Sequence, residues 1–157
     1  MTSAPSPEPL PRDAAVVALS TVVQDTLART IWGEARGLGR AGMVAVGWVI
    51  KNRAARPSWW GRDIVGVCLA RAQFSCWNAS DPNRAKLLAV STPDPEFAVA
   101  TEVADDLVRG TIPDPTNNAT HYHTIAKPEW ATVWPPDWTK SMTRTADDGH
   151  HVFYRAS

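Results

Sequence analysis

The chain has 157 residues, with basic and acidic side chains balanced at 16 each and a pI near 6.9. That length fits one domain with a sizeable core and excludes two catalytic domains, while a neutral chain has no global field to gather nucleic acid or an anionic membrane. Eight tryptophans against two tyrosines and three phenylalanines form a marked bias, whose commonest use is core and interface, although an indole face also stacks on sugar rings.

Residues 1–12 carry four of the thirteen prolines and almost no apolar side chain, which predicts an extended, poorly ordered arm ahead of a single domain over residues 13–157. MTSAPSPEPLPRD lacks the basic start and apolar core of a signal peptide, and no apolar run reaches the roughly 20 residues that span a bilayer. A product made in the cytoplasm, without stable membrane insertion, is therefore expected. From Ala14 the run AAVVALSTVV begins a helix. Ser20, Thr21 and Asp25 all offer N-cap side chains, so one helix and two remain equally open.

Asp25 to Arg36 is helical on any reading. Leu27, Ile31 and Glu34 recur at spacings of four and three, and on a helix of 3.6 residues per turn position 34 returns to within about 20° of position 27. Glu34 thus continues an apolar stripe toward the core, at a C-terminal end marked by Gly37 and Gly39. Burial and the negative end of the helix dipole both raise the pKa of such a carboxyl, and an acid held protonated near neutral pH is what general acid catalysis needs. The competing expectation is a surface glutamate capped by Arg36 or Arg40.

In GMVAVGWVIKNR, Met43, Val46, Gly47, Ile50 and Ala54 make a second, mostly buried helix, where Ala45 and Gly47 permit close approach to the first. Pro57-Ser58 ends it, the adjacent Trp59 and Trp60 fall in a loop, and Asp63 starts a short helix through Leu69. Cys68 and Cys76 lack the close pairing of a zinc site, and a free pair is expected over a disulfide. AQFSCWNASDPN reads as a short extended segment running into a turn. Pro95 to Arg109 is an amphipathic helix closed by Gly110. DPTNNATHYHT leads into an extended piece with His121 and His123 on one face and Tyr122 on the other. PEWATVWPPDW has too many prolines for regular structure. MTRT and HVFYR form a hairpin around Asp148-Gly149.

Five of these pieces, ARTIWGEARG, GMVAVGWVIKNR, AQFSCWN, DPTNNATHYHT and TRTADDGHHVFYR, stand in the order found in SleB-type cell-wall hydrolases, a family of spore cortex-lytic enzymes and phage and bacterial lysins that this chain resembles from about residue 27 to 155. The resemblance implies a mainly α fold with a small β-hairpin (α+β), lysozyme-like, acting as a monomer on peptidoglycan glycan strands. It implies neither cofactor nor metal and no nucleic-acid partner. The family's essential glutamate falls on Glu34. By likeness to lytic transglycosylases, that residue would cut between N-acetylmuramic acid and N-acetylglucosamine, first as acid and then as base. Gln73, Ser75, Trp77, Asn118, Thr120, His121, Tyr122 and His123 lie in the other motifs, and their groups suit binding an N-acetyl sugar. The missing signal peptide and the family together point to a phage-type endolysin.

Three other readings stay open. Lysozyme-type hydrolysis needs a second carboxylate roughly 5 to 9 Å away, for which Asp63, Asp114 and Glu129 are loop candidates. His121 and His123, two apart on a strand, together with a carboxylate would bind zinc in an amidase. A wall-binding module without activity would use the tryptophans alone.

Overall fold

The computed structural model describes residues 12–71 and 73–157, with side chains described from residue 19 onward. The expected arm lies, Arg12 apart, outside the described residues. The first helix is a single one: α1 runs from Arg12 to Ala35, straight through the capping candidates at Ser20, Thr21 and Asp25. It is followed by α2 (Gly39–Ala55), α3 (Ile64–Leu69), a 3₁₀ turn (Ser75–Trp77), α4 (Arg84–Ala89), α5 (Pro95–Arg109), β1 (His121–Thr124), a second 3₁₀ turn (Asp137–Ser141), β2 (Met142–Asp147) and β3 (His151–Ala156).

α1, α2 and α5 pack around one core. Leu27 and Ile31 of α1, Val46 and Ile50 of α2, and Val103 and Leu107 of α5 are completely buried, each stabilising the fold by about 1.5–3 kcal/mol relative to exposure. Gly47 lets the helices meet, because a Cβ there would collide first with Leu107 and then with Ile31. The close approach is therefore mainly to α5. Ala45 serves a different contact, lying with Val49, Ala119 and Phe153 in a second cluster between α2 and the sheet. α5 has the ends its sequence demands: the Asp94 side chain accepts from Phe97 N at 2.9 Å, Pro95 occupies the first turn, and Gly110 closes it at φ 72°.

The strands form an antiparallel sheet in the order β1-β3-β2. The hairpin expected from MTRT and HVFYR is present, and β1 adds to its β3 edge with Tyr122 opposite Phe153 and His121 opposite Tyr154. Alternation sends Tyr122 and Phe153 toward the helices and His121, His123 and Tyr154 to the other face, against Trp138.

One expectation was wrong. QFSCWN, the described part of that segment, is not extended: Trp77 N donates to Phe74 O (3.1 Å) and Asn78 N to Ser75 O (2.9 Å), closing a 3₁₀ turn. The weak alternation misled because Phe74 and Cys76 are both buried against the helical core rather than on one face of a sheet. α4 was also not foreseen, its six residues being too short for a periodic signal.

Candidate active site

Glu34 sits half-buried in the last turn of α1. Neither proposed surface cap reaches it: Arg36 stacks on Trp32, 4.2 Å from the ring centroid, and donates to Asn83 Oδ1 (3.1 Å), while Arg40 pairs with Asp106 (2.9 Å). Instead the Tyr122 hydroxyl donates to Glu34 Oε2 across a long 3.4 Å. The residue before it, Gly33, explains how the 3₁₀ turn comes so close, since a Cβ there would lie 2.8 Å from Cys76 Sγ. Burial raises the Glu34 pKa above the ordinary value, with donors from Cys76 and Tyr122 offsetting part of the shift and the negative charge of Asp81 adding to it. Tyr122 is held as a neutral phenol, its pKa driven well up by burial and by Glu34. Cys68 and Cys76 are free, buried thiols, and burial pushes Cys68 up to about 12 and raises Cys76 as well.

Arg53 is the second centre of the site, and the sequence reading passed over it. Its Nε donates to Thr120 O at 2.6 Å and its Nη1 reaches Gln73 Oε1 at 3.5 Å. Its guanidinium lies 5.7 Å from the Trp60 ring centroid and 5.6 Å from that of Phe74. Only 7% exposed, it has no carboxylate within ion-pair distance among the described residues, and burial lowers its pKa. The signal was available: Val46, Ile50 and Arg53 repeat on α2 the four-and-three spacing of Leu27, Ile31 and Glu34 on α1. In both helices the apolar stripe runs out at a charged residue.

The preceding residue builds the loop that delivers β1. Asn52 Nδ2 donates to Ala119 O and to Asp114 Oδ2, both at 3.0 Å, and Asp114 also accepts from Thr116 N, Thr116 Oγ1 and Asn118 N. Burial works against the Asp114 charge, yet these bonds hold its pKa below the usual carboxylate value. Asn117 and Asn118 turn the chain at φ 53° and 65°, which asparagine tolerates better than most residues. Asn52 and Arg53 thus latch residues 114–120 to α2, and Tyr122 follows two residues later.

The other candidates divide. Tyr122 is on Glu34, and Gln73 joins Arg53. Ser75 is exposed at the start of the 3₁₀ turn that carries Cys76. Trp77 donates from Nε1 to Thr30 Oγ1 (2.9 Å) and packs on the main core, pinning that turn to α1. Thr120 is buried, its hydroxyl 2.9 Å from His121 Nδ1. His121 lies 5.7 Å from Trp60 and 5.4 Å from Trp138, ring to ring. Burial and the nearby Arg53 bring its pKa down to about 4, so it is neutral at neutral pH. Asn118 is exposed, with its backbone N–H on Asp114. His123 is buried and commits both ring nitrogens, Nδ1 to Thr124 O (2.7 Å) and Nε2 to the Tyr154 hydroxyl (3.0 Å). Among the described residues no group of three His, Cys, Asp or Glu side chains is placed to hold a metal.

The acids named for a second carboxylate do other work. Asp63 caps α3 through Gly66 N (2.7 Å), Asp114 organises its loop, and Glu129 is exposed. The acid whose charge Glu34 feels is Asp81, which the sequence reading took only as a turn residue. Concavities of about 200, 490 and 560 Å³ line other parts of the surface.

The sequence profile described as cell wall hydrolase matches residues 37–154, most of the chain, beginning just after Glu34. No curated protein matches. Among solved structures, the catalytic domain of the germination-specific lytic transglycosylase SleB from Bacillus anthracis is similar at 24% identity and a TM-score of 0.61, covering 96% of this chain and 100% of that one. The catalytic domain of the Bacillus cereus SleB protein is similar at 24% identity and a TM-score of 0.64, covering 86% of this chain and 91% of that one. At that identity the two structures establish the fold, which is mainly α with a small antiparallel sheet.

Proposed function

The chain belongs to the cell wall hydrolase family, and from that premise we propose that it cuts peptidoglycan glycan strands as a lytic transglycosylase, with Glu34 acting first as acid and then as base. The observation that carries this reading is a half-buried carboxyl, Glu34, with the Tyr122 hydroxyl donating to it. Burial favours its protonated form, which can protonate the glycosidic oxygen between N-acetylmuramic acid and N-acetylglucosamine and leave an oxocarbenium-like muramic ring. The resulting carboxylate is held by donors on Tyr122 and Cys76. It takes the proton of the muramic C6 hydroxyl as that oxygen attacks C1, so the products are a 1,6-anhydromuramic end and a free N-acetylglucosamine hydroxyl. Water is not consumed, and Glu34 ends protonated, ready for the next cycle. Arg53 positions the parts through its bonds to Thr120 O, just before β1, and to Gln73.

The likeness in fold to a lytic transglycosylase domain supports the choice over hydrolysis. For the second reading, Asp81, whose charge adds least among the causes acting on Glu34, is the acid to substitute in testing for a lysozyme-type partner. Mass spectrometry of digested sacculi separates them. Anhydro-ended muropeptides are the expected product. Reducing muramic ends without anhydro products would replace the transglycosylase by a hydrolase, and free stem peptides would replace both by an amidase. The setting we propose is phage-type lysis, resting on the resemblance to a family that includes phage lysins. In that setting, expression inside a Gram-negative host lyses the cells only when a holin is co-expressed, and lysis without one overturns it.

A further inference from the structure

A short turn beside the site holds an indole out in solvent, and the bond-breaking chemistry makes no use of it. Ser58 and Gly61 close this turn with two backbone hydrogen bonds, of 3.2 and 3.1 Å. Gly61 adopts φ 127°, and a Cβ there would lie 2.7 Å from Val67 N, so only glycine lets the turn seat on α3. Trp60 is anchored by its Nε1, which donates to the carbonyls of Arg53 (3.0 Å), in the last turn of α2, and of Arg56 (3.1 Å), just beyond it. Trp59 is 68% exposed and packs edge-on against Trp60 with centroids 5.6 Å apart.

A lone exposed aromatic calls for no explanation, but Trp59 heads a row. Trp60 meets His121, His121 meets Trp138, and the Arg53 guanidinium faces Trp60. Arg53 in turn holds Gln73 and the carbonyl of Thr120, two residues before the Tyr122 that bonds Glu34. Contacts therefore run from the exposed indole through Trp60 and the buried Arg53 to the residue just before the strand that carries Tyr122. At either end of the turn stand Arg56 and Arg62, both exposed and neither in an ion pair among the described residues.

We propose that Trp59, supported by Trp60 and His121, is a remote subsite that stacks on a muramyl sugar of the same strand whose cleavage Glu34 performs, with Arg56 and Arg62 taking carboxylates of its stem peptide. The proposal rests on the reading of the chain as a glycan-strand enzyme. Its chemistry is specific: a pyranose ring offers an apolar C–H face to an indole, and the stem peptides carry the negative charge that the two guanidiniums lack locally. His121, uncharged at neutral pH, fills the row without repelling the arginines.

The test is binding of soluble glycan oligomers, short and long, peptide-bearing and peptide-stripped, to the full chain carrying Glu34→Gln, followed by tryptophan fluorescence and calorimetry. In that background Trp59→Ala weakens long strands about tenfold, the scale of one good aromatic contact, and collapses the preference for long over short strands. Trp59→Phe keeps most of the preference. The double change Arg56→Gln with Arg62→Gln weakens only peptide-bearing strands and flattens their salt dependence. Long-strand affinity and length preference that survive Trp59→Ala overturn the subsite. So does a Trp59→Ala defect confined to anionic phospholipid vesicles or to self-association in ultracentrifugation. Because binding is read without turnover, it stands apart from the role of Glu34: lysis retained by Glu34→Gln removes the catalytic reading and leaves the binding result to be judged by itself.

Discussion

Replacing Glu34 with glutamine perturbs the site in a way that has both a kinetic and a thermodynamic signature. The amide is nearly isosteric and its oxygen still accepts from the Tyr122 hydroxyl, which bonds Oε2 in the wild type, so the fold and substrate binding persist. It has no proton to give and cannot take one. General acid or base catalysis is typically worth about 10²–10⁴-fold, equal to about 2.7–5.4 kcal/mol of barrier, and here both halves of the cycle use the same group. Lysis of purified sacculi, followed by turbidity and by release of anhydro-muropeptides, falls at least about 10²-fold. The stability effect has the opposite sign. Because burial raises the Glu34 pKa in the folded state, the protonated carboxyl is the stabilising form: its contribution is full below the unfolded value and is lost as pH rises through the folded one. Glutamine removes that loss. Thermal unfolding monitored by circular dichroism therefore shows wild type and variant together in acid and the variant ahead at neutral and alkaline pH, each kcal/mol recovered appearing as about 2–4 °C. Lysis above about a tenth of wild type would sink the catalytic role, given the usual size of the acid–base term. A variant that melts lower at pH 8 than wild type would refute the burial argument.

Tyr122→Phe takes away a donor that lowers the Glu34 pKa, so the alkaline limb of kcat/KM, set by loss of the acid form, moves to higher pH. A downward or absent movement contradicts the assignment. Arg53→Lys keeps the charge but loses the fork that joins Thr120 O to Gln73. Hydrogen bonds from a charged group contribute about 1.5–3 kcal/mol, so turnover drops roughly tenfold or more at equal expression, and wild-type turnover would show that the fork is idle. Gly47→Ala pushes a methyl into Leu107 and Ile31. Overpacking of this kind costs about 1–3 kcal/mol, to be read from urea unfolding, while residual activity at room temperature stays close to wild type.

Much of the helical frame was legible because its cause is local. Asp63 announces a helix that its side chain caps and Pro95 marks the first turn of α5, the four-and-three spacing of Leu27, Ile31 and Glu34 aims the carboxyl inward, and Gly110 ends α5 where a left-handed residue fits. Alternation likewise assigned Tyr122 and the two histidines to opposite faces of β1. The segment 73–77 was misread because its burial is imposed by α1 and α2, through the Gly33 contact with Cys76 and the Arg53 contact with Phe74, neither of which leaves a period in the chain.

What the sequence determined by itself is the placement of Glu34: a carboxyl on an apolar stripe, at a helix end, in a motif order shared with cell-wall hydrolases. What tertiary structure alone decided is the company it keeps. Tyr122 lies 88 positions away in the chain, Asp81 acts through charge rather than through any motif, and His123 spends both its nitrogens on neighbours that a two-residue spacing could not reveal. The physical reason is that periodicity reports which face of an element is buried, whereas the partner met on that face depends on how the elements dock. Here that docking is set by Gly33, Gly47 and the Asn52–Arg53 latch, and it brings strand, turn and helix end together around Glu34.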